Sequence, residues 1–250
     1  MTWSRKVAVA SGERDSKKFE LLLANLMQSD KGESSGLWGS YLAGRRRCFF
    51  KWEPRPKSAW VETTESVWRN TSAWFLTPVW YLMEDQEFLP SQIAQCAELL
   101  PDHFREILVT DGPVGLPKAL RLRELQPDWV YYLAGPISPW ALGAMACAYR
   151  RAELSGQRDL HLSAAHGMLW LIDQLVVEED PWVREPLMEL RKIIVKRQNS
   201  ISYGYWHLLL PKEELGETEP LDFFGRNLKQ HLSIHGARID FEVIFRAVFV

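Results

Sequence analysis

The sequence predicts an α+β fold: a mostly antiparallel sheet using strands from both ends of the chain, with a helical layer from the middle over one face. Three observations predict it. In the last segment Ile239, Phe241, Val243, Phe245, Ala247 and Phe249 form one apolar face, with Asp240, Glu242 and Arg246 on the other. That period of two is the signature of a strand. Short apolar, aromatic and β-branched runs near the N-terminus add further strands. Between them, residues 138–198 hold three successive helical patterns. The expected organisation is a single α+β domain over residues 1–250, predominantly helical within 91–199.

Taken in order, Val7–Ala10 reads as a short strand. Asp15 or Ser16 can cap a helix running to about Gln28, with Phe19, Leu22, Leu23 and Leu26 on one face. A Gly- and Ser-rich loop follows. Arg47–Trp52 and Ala59–Thr63 read as strands around Pro54 and Pro56, and Trp74–Met83 as a strand that Pro78 confines to an edge or a bulge.

The middle is helical. Ser91–Leu100 reads as a helix, Pro101-Asp102 restarts a shorter one to Leu108, and Trp129–Ala134 reads as a strand. Ser138-Pro139 opens the next helix: serine supplies a cap oxygen, and proline loses no hydrogen bond at the first position. Further helices cover Asp159–Val177 and about Pro186–Gln198. Ile201–Leu210 returns to strand, and Pro220–His235 reads as a helix ended by Gly236.

Composition sets the class. The chain has 250 residues, of which 46% are hydrophobic and 25% charged, and this excludes wholesale disorder. A net charge of -2 and a pI near 6.3 do not describe a protein coated for nucleic acid. Cys48, Cys96 and Cys147 offer neither a CxxC pair nor a disulfide framework. The apolar run at the N-terminus is too short for a signal peptide, and Pro78 interrupts the longest candidate span. The expected location is cytoplasmic.

Charge is unevenly distributed. Residues 1–60 hold 12 Lys+Arg against 6 Asp+Glu, a net +6, while residues 61–250 carry -8. Such asymmetry points to a basic docking surface. Its densest part is Arg45-Arg46-Arg47-Cys48-Phe49-Phe50-Lys51-Trp52, followed by Arg55 and Lys57. On a strand, Arg47, Phe49 and Lys51 would share one face and present cations with a ring. The same pattern also serves a solubilised edge strand or an acidic protein partner.

The 12 tryptophans complete the recognition argument. Trp60, Trp68, Trp74 and Trp80 fall within 21 positions, with Trp38 and Trp52 before them. Indoles suit interface hot spots and base stacking, although a core absorbs most of them. Two or three are expected at the surface. Trp38 and Trp60 therefore join Arg45, Arg46, Arg47, Phe49, Lys51, Arg55 and Lys57 as candidate partner-binding residues.

Catalytic signatures are sparse. His231 and His235 are four apart and would share a helical face, which suits a metal, but no third ligand accompanies them. Histidines in a last helical turn also complement its negative end. His161 and His166 lie roughly 140° apart on a helix and do not share a face. One is expected exposed and the other partly buried. Glu178, Glu179 and Asp180 read as a solvated turn before Pro181. Gly32, Gly36, Gly39 and Gly44 build no phosphate loop, and no nucleophile elbow occurs.

The sequence therefore reads first as a non-enzymatic intracellular interaction protein: an adaptor, inhibitor or immunity-type partner that binds another macromolecule through a basic, aromatic N-terminal surface. The partner is expected to be a protein, with no cofactor and no membrane. The alternative is a nucleic-acid-binding component using residues 45–57. The third reading is a metal-dependent enzyme using His231 and His235.

Overall fold

The computed structural model describes residues 2–26, 37–43, 59–69, 71–110, 121–203, 206–207 and 224–230. Four helices come first: α1 (Thr2–Ser11), α2 (Ser16–Leu26), α3 (Leu37–Leu42) and α4 (Ala59–Val67). Short α5 (Ser72–Leu76) and α6 (Val79–Leu82) follow, then α7 (Pro90–Glu98) and α8 (Asp102–Leu108). After β1 (Val109–Thr110) and β2 (Arg121–Leu122) come α9 (Trp129–Ala134) and the three longest helices, α10 (Pro139–Ser155), α11 (Arg158–Glu178) and α12 (Pro181–Ser200). They are followed by β3 (Ser202–Tyr203), β4 (Trp206–His207) and a helical segment, α13, over residues 224–230.

The expected sheet is overturned. Among the described residues the strands form two separate antiparallel pairs, each two residues long. Val109 lies opposite Leu122 in one, and Ser202 opposite His207 in the other. The fold is built of helices. The expected strand over 239–249, the tract Arg47–Trp52 and the cap at Gly236 lie outside the described residues.

Four other expected strands are helices, for one physical reason. In α1 the inward residues are Trp3, Val7 and Ala8; in α4, Val61 and Thr64; in α9, Val130, Leu133 and Ala134. Spacings of three and four are the helical period, hidden in runs too short to show it. Trp74–Met83 divides at Pro78 into α5 and α6, which bury Trp74, Phe75, Val79 and Leu82. Proline is tolerated there because it stands at the N-cap of α6.

The helices of the middle follow their sequence signals. Ser138 Oγ accepts the Ala141 N–H at 3.1 Å, and Pro139 occupies the first turn of α10. Gly156 ends that helix at φ +66°, a left-handed conformation that costs other residues more. Two-residue turns then fold α11 back on α10 and α12 back on α11. Asp15 Oδ1 accepts the Lys17 and Lys18 N–H groups at 3.0 and 2.9 Å, so the carboxylate caps α2.

Every residue of α10 from Ala141 to Arg150 is buried, and α10 is the axis of the core. Such all-round burial suits its run of small side chains, Ala141, Gly143, Ala144, Ala146 and Ala148. Helix α13 closes onto α9 and α11, with the Phe224 ring 5.1 Å from Tyr131 of α9 and 5.9 Å from Trp170 of α11. Among the described residues α11 is the one helix long and apolar enough to cross a bilayer, and 56% of that window is buried inside the fold.

Candidate functional site

Helix α1 turns Trp3, Val7 and Ala8 into the core, which leaves Arg5 and Lys6 at the border facing α12. Arg5 Nη1 donates to the Trp182 carbonyl at 2.9 Å and to the Glu185 carboxylate. Lys6 Nζ reaches both carboxylate oxygens of Glu179 at 2.6 Å. Arg14, in the turn before α2, donates to Asp180 Oδ2 at 2.9 Å. Three N-terminal cations are thus clasped by three carboxylates around the α11–α12 turn. Glu179 and Asp180 are engaged in these pairs rather than forming a freely solvated turn; the Glu179 side chain is only 10% exposed.

Trp182 lies at the centre of this seam. Asp180 Oδ1 caps α12 by accepting the Trp182 N–H at 2.9 Å, which fixes the start of the helix and the root of the indole. The Arg5 and Arg14 guanidinium groups lie over its ring, 5.4 and 5.6 Å from the centroid. Both distances fall within the range of cation–π attraction. An open cleft of about 550 Å³ is lined by Arg14, Asp180, Pro181, Trp182 and Glu185.

A second polar cluster is buried where α10, α11 and α12 meet. Arg150 is 2% exposed. It donates to the Leu82 and Glu84 carbonyls at 2.5 Å each and to Glu153 at 2.7 Å, and lies over the Phe88 ring. Arg197 bridges Glu153 at 2.8 Å and Asp85 at 3.3 Å. Burial alone would raise the Glu153 pKa, but Arg150 and Arg197 outweigh it and hold the carboxyl below its usual range.

His161 lies inside this cluster, its ring 4.0 Å from that of Tyr149. It is fully buried and His166 is half-buried, so neither histidine is exposed. Burial pushes the His161 pKa down to about 4; Glu153 opposes the shift, and Arg197 and Arg150 reinforce it. The imidazole is therefore neutral at physiological pH. Burial also raises the Cys96 and Cys147 thiols far above neutrality, which leaves them protonated and poor nucleophiles. The chemistry of this cluster is structural: it ties three helices and the 82–88 segment together.

The sequence-predicted binding residues fall as follows. Trp38 is fully buried, stacked on Phe19 at 4.2 Å and edge-on to Trp3 at 5.4 Å. Its backbone N–H donates to the buried Glu20 carboxylate at 2.6 Å. Trp60 is a residue of α4. Arg45, Arg46, Arg47, Phe49, Lys51, Arg55 and Lys57 lie outside the described residues, as do His231 and His235. Among the described residues no group of His, Cys, Asp and Glu is arranged to hold a metal.

None of the tryptophans with a described side chain is exposed. Trp3, Trp38 and Trp74 are buried, while Trp68, Trp80, Trp129, Trp140, Trp170 and Trp182 are half-buried against the core. Sequence reasoning passed over Trp182, the one whose ring borders the cleft. The signal available for it was an indole directly after an acidic turn, in a chain whose opposite end is basic.

The chain matches no family model, no curated protein and no solved structure.

The clasp also redistributes the charge argument. Residues 45–57 hold six cations (Arg45, Arg46, Arg47, Lys51, Arg55, Lys57) against Glu53. That net +5 is nearly the whole +6 of residues 1–60. Arg5, Lys6 and Arg14 are meanwhile engaged within the fold.

Proposed function

We propose that the chain is a non-enzymatic interaction protein, of adaptor, inhibitor or immunity type, that docks an acidic surface of a protein partner through the basic aromatic tract 45–57. The observation that carries this reading is where the positive surplus sits. Arg5, Lys6 and Arg14 are paired with Glu185, Glu179 and Asp180, whereas the tract concentrates six cations and three aromatic rings in thirteen residues. Arginine interleaved with aromatic side chains is the composition of interface anchors, and concentrated charge of one sign steers association.

The test is affinity capture by the full chain from its native cell extract, with and without nuclease, beside a variant carrying R45E, R46E and R47E. A protein partner retained after nuclease and lost on charge reversal supports the reading. Capture abolished by nuclease, with affinity falling steeply as salt rises, replaces it with a nucleic-acid partner. Capture unaffected by charge reversal overturns the tract as the binding site.

A further inference from the structure

We infer that the cleft on Trp182 is a recognition pocket for an arginine side chain of a partner polypeptide, and that Arg14, on the lining of the cleft, holds the cation position over the indole as an internal stand-in until the partner arrives. The pocket has the chemistry of a guanidinium receptor. Its floor is an indole, the aromatic face that attracts cations most strongly. Its lining holds the carboxylates of Asp180 and Glu185, which a planar guanidinium can address while stacking on the ring, together with Pro181 and Arg14 itself.

The geometry shows one such group already seated. Arg14 lies over the indole at 5.6 Å and donates to Asp180 at 2.9 Å. Yet its side chain remains 61% exposed, on a turn rather than within a helix. A contact so wet is held cheaply and can be exchanged for a better-placed copy of itself. Arg5, the second guanidinium over the ring, is different. It is 9% exposed and bonded to the Trp182 carbonyl and Glu185, so it belongs to the frame of the pocket. The occupant is arginine rather than lysine because the resident group is itself a guanidinium.

This site offers carboxylates and an indole rather than the cations of the basic tract, and the inference does not depend on that tract. The inference is tested on the full chain by titration with N-ethylguanidinium, the head group of arginine, against N-ethylurea, its neutral isostere. The readout is the indole N–H resonance of Trp182, identified by its loss in W182F. The expected result is a saturable shift with the guanidinium and none with the urea. R14A and R14Q, which vacate the pocket, should each tighten binding about fivefold. E185Q should weaken it.

Absence of a saturable shift in both the parent chain and the Arg14 variants overturns the inference. So does unchanged or weaker affinity in R14A and R14Q, which would make Arg14 part of the frame. Equal affinity for the urea likewise overturns it, as does guanidinium binding retained in W182L, where it is followed through the Glu185 backbone N–H resonance instead. None of these results bears on the charge-reversal experiment at residues 45–47.

Discussion

Arg150 donates its Nε–H to the carbonyl of Leu82 at 2.5 Å, across 68 residues of sequence and from inside the core. With the Glu84 carbonyl and Glu153 on its other nitrogens, one side chain pins the segment between α6 and α7 to the central helix. Removing it leaves two carbonyls without that donor and weakens the pairing of a half-buried carboxylate. Arg150→Met is expected to cost about 3 kcal/mol, because breaking a buried pair exposes the cost of the partner left behind. Arg150→Lys should rescue little, since an ammonium cannot reproduce a planar fork with fixed directions. Equilibrium urea unfolding of the three proteins measures both effects.

His161 makes stability depend on pH in a defined window. Its folded pKa is depressed to about 4, below the ordinary value of 6.5. The unfolded chain therefore binds the proton first as pH falls. The stabilisation is fully present above pH 6.5 and is lost progressively as pH drops toward 4, by about 3 kcal/mol over the whole window. His166, also depressed by burial, contributes in the same direction. Glu153 loses its own contribution at lower pH, because its carboxyl is held down by Arg150 and Arg197. Unfolding free energies between pH 7 and 4.5 should slope steeply in the parent chain. In His161→Gln, which has nothing to titrate there, the slope should be shallower. An equal slope in both proteins would remove His161 as the cause.

Helical patterns were legible in the sequence where they were long and punctuated. Ser138-Pro139 before an alanine-rich run, and Asp15 before Phe19 and Leu23, are local signals, and both caps form. The misread elements are short. A six-residue run such as Trp129–Ala134 is aromatic and β-branched enough for a strand, and only its neighbours decide otherwise. Those neighbours are α10 and α11, which reward the inward spacing of Val130, Leu133 and Ala134. The seam was half legible. The opposite net charges of residues 1–60 and 61–250 were visible, but nothing local joins Arg5 to Glu185, 180 positions away. Trp182 was passed over for the same reason.

The cap of the central helix is a local test of the core. Ser138→Ala removes the acceptor for the Ala141 N–H and is expected to cost about 1 kcal/mol. In a chain of this size that corresponds to a fall in melting temperature of roughly 3 °C. Ser138→Asp keeps an acceptor in place and should hold the melting temperature near that of the parent. Calorimetry on the three proteins separates loss of the cap from loss of the serine itself.

Gly143 tests how closely the helices approach. A methyl group there would lie 2.5 Å from Thr77 Oγ1, 2.8 Å from Pro78 Cδ and 3.3 Å from Leu100. Two of these neighbours have little freedom: Thr77 Oγ1 is held by donating to the Pro139 carbonyl at 2.8 Å, and Pro78 is a ring. Alanine at this position would gain about 1 kcal/mol in helix propensity. Overpacking a tight core typically costs about 1–3 kcal/mol, and the rigid contacts place this site at the upper end. Gly143→Ala should therefore destabilise the fold by about 1–2 kcal/mol despite its better intrinsic helicity. Pairing it with Thr77→Ala removes the closest obstacle but leaves the proline. The double variant should be less destabilised than the sum of the two single ones, a coupling that a double-mutant cycle in urea reads directly. Strict additivity would mean that α10 moves away from the 77–78 turn and that the close approach does not constrain the core.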